Sequence, residues 1–127
     1  MNAPLFAAAI LMVLTGLVHS ILGHFGMRLR ELPRVPGFPA FFGADQFHPR
    51  TIRVTWHVAT MLAWAMAAIL FDSARAGALD PGRTFAIRAI AVSMIGSGAI
   101  VVYGTRARHP AWIVMFTVAG LSWTATS

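Results

Sequence analysis

Residues 5–22 read LFAAAILMVLTGLVHSIL, a run with no charge in it. At about 1.5 Å of rise per helical residue, such a run approaches the roughly 30 Å of a bilayer's hydrocarbon core, which predicts a transmembrane helix over 5–22. Working outward, three more apolar stretches follow. Residues 54–71 lie between Arg53 and Asp72, and residues 85–103 lie between the turn signal Asp80-Pro81-Gly82 and the pair Gly104 and Arg106. The fourth, 111–125, opens behind Pro110, a residue suited to the start of a helix. The fold expected is all-α: a four-helix transmembrane bundle forming one membrane domain over residues 1–127.

Composition points the same way. Hydrophobic residues make up 57% of the chain and charged residues only 11%, against about 25% in an average soluble domain. So few charges cannot tile a water-facing surface. Cysteine is absent, which excludes disulfides, thiolate metal sites and cysteine catalysis. The start, Met1-Asn2-Ala3-Pro4, lacks the basic segment of a signal peptide, so the first helix is expected to be retained. There is no phosphate loop, no Ser-His-Asp pattern and no close carboxylate pair among Glu31, Asp45, Asp72 and Asp80.

The formal charge is +6, and all ten basic residues are arginines. They flank apolar spans rather than alternate with aromatics on a soluble face, so the expected partner is a bilayer with anionic headgroups and not nucleic acid. Arg28, Arg30, Arg34, Arg50, Arg53, Arg106 and Arg108 fall on one side of the spans, and Arg75, Arg83 and Arg88 on the other. Arginine-rich short loops stay in the cytoplasm, so this asymmetry predicts an inner (plasma) membrane protein of a bacterium with both termini outside the cytoplasm. Arg28, Arg30 and Arg88 are the candidates for lipid or anion contact, with Arg88 able to snorkel or to pair with Asp72 or Asp80. The connection 25–53 is too long for a simple bundle loop, and its mixture of Arg, Phe, Leu and Pro suits an interfacial lid.

Histidine carries the candidate chemistry. His19 lies about a turn from the end of the first span and His57 about a turn inside the start of the second, so antiparallel neighbours hold them at matching depth. Imidazoles facing each other across a bundle can ligate a divalent metal ion or haem b, with a role in electron transfer, and His24 and His48 can add ligands. Two other readings stay open: polar interhelical contacts, with His19 on Thr15 or Ser20 and His57 on Thr55 or Thr60, or a protonatable transport site. His19 and His24, five apart, share a ligand sphere only if the helix ends between them, which Gly23 permits. Ser93, Gly96, Ser97 and Gly98 form a small-residue patch that favours close helix packing, within the fold, in a homo-oligomer or against a larger complex. Trp56, Trp64, Trp112 and Trp123 read as interface anchors.

The segments His19-Ser20-Ile21-Leu22-Gly23, Phe42-Gly43-Ala44-Asp45 and Thr55-Trp56-His57-Val58-Ala59-Thr60 resemble a group of small bacterial four-helix membrane proteins with HSxLG(E), FGxD and WHxxT motifs. The resemblance covers the first half of the chain and implies that His19 and His57 belong to one recurring site. It brings no activity with it. The chain departs from the pattern at His24, where a Glu is expected; either residue can bind a divalent metal or carry a proton.

Overall fold

The computed structural model describes the backbone of residues 1–26 and 44–127 and the side chains of 1–25 and 51–127. It contains four helices: α1 (Ala3–Gly26), α2 (Ala44–Arg75), α3 (Pro81–Thr105) and α4 (Ala111–Thr124), with no strand among the described residues. Three of them are long and apolar enough to cross a membrane. The fourth has 14 residues and rises only about 21 Å, so it is apolar but short. α2 begins at Ala44, earlier than the expected start at residue 54. Hydropathy marks only the part of a helix that lies in hydrocarbon, and the polar turns from Ala44 to Arg53 prolong the same helix beyond it. The rest of the expected lid, with Arg28 and Arg30, lies outside the described residues.

One repeating stripe on each helix makes the core. On α1 it runs through Leu5, Ala8, Ala9 and Met12, then Gly16 and Gly23, at the three- and four-residue spacing of one helical face. It meets Ala67, Leu70 and Ala74 of α2, Ile87, Ile90 and Met94 of α3, and Val118 and Ala119 of α4. Lipid tails are as apolar as leucine, so helices in a bilayer gain by close packing and hydrogen bonds rather than by escaping water, and small residues let the backbones approach. Large side chains such as Leu22, Val58, Leu62 and Ile100 point outward, as a lipid-facing surface requires.

Apart from Gly16 and Gly23, this core lies mainly in the half of the bundle nearer the chain termini, the terminal end. The opposite end, where α1 finishes and α2 starts, is the histidine end. α1 packs along α2, α3 along α4, and α1 against α4, whereas the consecutive helices α2 and α3 barely touch. At the terminal end Asn2 Oδ1 accepts from Leu5 N (3.2 Å), while Asn2 N donates to Ala74 O (2.8 Å), tying the start of α1 to the end of α2. Asp80 caps α3 by accepting from Arg83 N (2.9 Å). That bond, followed by the charge of Arg83, holds its carboxyl below the usual carboxylate range.

Arg88 does not reach Asp72 or Asp80, which both pair with Arg83. Its Nη2 instead donates to Thr126 O (2.9 Å), its Nε to Thr126 Oγ1 (3.3 Å), and its guanidinium lies over Trp123. A short helix leaves its last carbonyls without intrahelical donors, and a cation at that end answers both the lone pairs and the helix dipole. The hydroxyls of Thr124, Thr126 and Ser127 satisfy more of them by donating to Gly120 O and Trp123 O. At the histidine end α3 closes with Arg106 and Ala107 in the left-handed region and Ala107 N donating to Val102 O (2.8 Å), a Schellman-type stop.

The α1–α2 seam is built from glycines and indoles. Trp56 Nε1 donates to His19 O (2.6 Å) and Trp64 Nε1 to Val13 O (3.3 Å). The side chains that normally shield a helical carbonyl come from about one turn later, and at those places α1 has Gly23 and Gly16. A methyl group at Gly23 would overlap the Trp56 indole, and one at Gly16 would lie 2.6 Å from Trp64 Nε1. Two of the four tryptophans expected as interface anchors are therefore interhelical donors. Gly98 does the same for α3–α4, where Phe116 fills the space of its missing Cβ, while Gly96 of the same small-residue patch faces open space. Gly23→Ala is expected to lower stability in detergent unfolding by about 1 to 3 kcal/mol through overpacking. Gly96→Ala, with room for a methyl, is expected to be neutral or to gain about 0.5 kcal/mol.

Candidate functional site

The histidine end gathers side chains from three places. α1 brings His19, Ser20 and His24; α2 brings Trp56 and His57; the α3–α4 turn brings His109. α1 does not end at Gly23 but stays helical to Gly26, so His19 and His24 point about 140° apart around it. They consequently meet different partners.

His19 lies flat on the Trp56 ring, with centroids 4.1 Å apart and planes 4° from parallel. The same indole donates to the His19 carbonyl, so one tryptophan fixes both the ring and the backbone of that residue. His19 Nε2 is buried and has no hydrogen-bond partner among the described residues. His57 Nδ1 shares a 3.0 Å hydrogen bond with Ser20 Oγ. Thus Ser20 serves His57 rather than His19, and Thr60 is turned to its own helix, donating to Trp56 O. Across the seam, the ring of His24 is 6.0 Å from that of His57, centroid to centroid, at an angle of 45°. His24 also meets Phe25 edge to face.

His109 lies in the α3–α4 turn, between Thr105 and Ala111. The His109 ring also shapes the turn, since its Nδ1 accepts from Ala111 N (3.2 Å) at the start of α4. The backbone of His48 belongs to the first turns of α2, but its side chain lies outside the described residues. Arg88 is at the other end of the bundle. Among the described residues, no three His, Asp or Glu side chains converge as a metal-ligand set. The arrangement offers a pair of imidazoles instead, His24 with His57, beside a third ring held against tryptophan. Two imidazoles sharing one ion through bonds of about 2 Å place their centroids about 5 to 6 Å apart, a span that the 6.0 Å pair fits.

Ser20 and Trp56 carry this geometry, and residue type alone does not mark either as its support. The signal in the sequence is spacing: a tryptophan one residue before His57, and a glycine one turn after His19. Comparison with protein-family models, curated proteins and solved structures finds no match for the chain.

Trp56→Phe keeps an aromatic face for His19 and removes the donor. It is expected to cost about 0.5 to 1.5 kcal/mol in detergent unfolding, the range of a hydrogen bond between membrane helices. Ser20→Ala is expected to shift the ¹⁵N resonance of His57 Nδ1 and leave that of His24 in place.

Proposed function

We propose that this is a small multi-pass protein of the bacterial inner membrane that holds a transition-metal ion, bare or as the iron of a haem, between His24 and His57. The observation that carries the reading is the close approach of those two rings from different helices, with Ser20 on Nδ1 of His57. When His57 Nδ1–H donates to Ser20 Oγ, the Nε2 lone pair is left for an ion, which is how the partners of metal-bound histidines fix ring and tautomer. An all-nitrogen pair suits zinc, copper, nickel or iron better than calcium or magnesium. Two protein ligands leave coordination positions open to a third histidine, water or a porphyrin, and an ion that changes oxidation state there would serve electron transfer.

The same reading places the histidine end at the cytoplasmic surface. Arg53, Arg106 and Arg108 lie there, and the sequence between α1 and α2 adds Arg28, Arg30 and Arg34, so short arginine-rich segments face inward and both termini outward. α4, packed along α3 and α1, completes the four-helix membrane bundle.

Titration of the purified protein with Cu²⁺ or Zn²⁺ is expected to give one tight site per chain. His24→Ala and His57→Ala should each abolish it, and Ser20→Ala should weaken it about 10- to 100-fold. His109→Ala should leave it in place. A Soret band after growth with added haem precursor would assign the iron of a haem; unchanged metal uptake in both histidine variants would refute the site.

A further inference from the structure

The α2–α3 seam, where consecutive helices stand apart, contains a cleft of about 430 Å³. Its walls include Ala68, Ile69 and Ser73 of α2 and Ala86 of α3, and Asp72 and Arg83 lie towards the terminal end. We infer that this cleft binds a zwitterionic phospholipid, with its phosphate on Arg83, its ammonium on Asp72 and an acyl chain along the apolar wall. In a bilayer a lateral opening between helices is filled by lipid, and the charges at its mouth select which.

Those charges come in balance. Arg83 Nη2 is 3.1 Å from Asp72 Oδ2, and Arg83 Nη1 is 3.6 Å from Asp80 Oδ2. Arg75, three residues after Asp72 on α2, lies over Phe71. Two arginines and two aspartates cancel, and Asp72 and Asp80 are the two acidic side chains among the described ones. A zwitterion can exchange partners with the existing pair, its phosphate and ammonium each replacing one opposite charge. An anionic lipid can answer Arg83 but brings its only charge beside Asp72 and Asp80. The histidine end, with Arg53, Arg106 and Arg108, has the opposite preference. The Asp72 and Arg83 side chains are 73% and 40% exposed, which leaves both reachable from the bilayer.

The test uses the full-length protein in bilayers of equimolar palmitoyl-oleoyl phosphatidylethanolamine and phosphatidylglycerol, released into native mass spectrometry. The wild type is expected to retain the ethanolamine lipid over the glycerol lipid by about tenfold, the scale of one added charge-assisted contact. Asp72→Asn should bring the ratio close to one. Ala68→Phe, at an exposed position on the cleft wall, should lower retained lipid of both kinds without changing the unfolding temperature. Equal retention by the wild type, or more of the glycerol lipid, overturns the proposal even if a variant fails to fold. So does an Ala68→Phe protein that folds and keeps the wild-type lipid complement.

Discussion

An indole N–H that leaves water must find an acceptor, and so must each backbone group that a helix exposes to hydrocarbon. In α2, Trp56 meets that requirement on the carbonyl of His19, which Gly23 leaves open one turn later on α1. The rest of the histidine end follows from this contact. It fixes the rotation of α2 against α1, so that His57, the next residue, comes over Ser20 and His24. It also fixes the His19 ring by stacking. The second indole–carbonyl bond, from Trp64 to Val13, repeats the arrangement two turns along α2 and ties the two helices at a second point.

The two ends of the bundle are built differently. The terminal end has the buried core of alanine, leucine, isoleucine and methionine, and its polar groups close on one another: Asn2 with Ala74, Arg83 with Asp72 and Asp80, Arg88 with the end of α4. The histidine end has glycine, tryptophan and imidazole in place of that core. A firm half thus anchors a half in which ring positions depend on a few directed bonds. That division is compatible with the proposed ion site, which would have to admit its ligand without unfolding the bundle.

Much of the architecture is legible in the sequence because hydrocarbon is a demanding solvent. Runs such as 5–22 and 85–103 have no stable home in water, and the helices that contain them follow directly. Helix limits are less legible: nothing in hydropathy distinguishes a polar helical turn from a polar loop, so it does not mark the start of α2 at Ala44. The depth of His19 and His57 can be read from their distance to the limits of the apolar runs 5–22 and 54–71, not to the helix ends. Their rotation cannot, because it depends on Trp56 and Gly23 meeting across the seam. Arg88 is visible as an isolated charge in a span, but its partner is a backbone carbonyl at Thr126, and a carbonyl has no signature in side-chain sequence.

The Trp56–Gly23 contact, on this account, holds His24 and His57 as one pair. Electron paramagnetic resonance of the protein loaded with one equivalent of Cu²⁺ tests this most directly, because the hyperfine pattern counts coordinated nitrogens. The wild type should show two imidazole nitrogens, and Gly23→Ala, which alters neither histidine, should lose at least one of them. A two-nitrogen pattern that survives Gly23→Ala unchanged, or a wild type that shows none, would contradict the account.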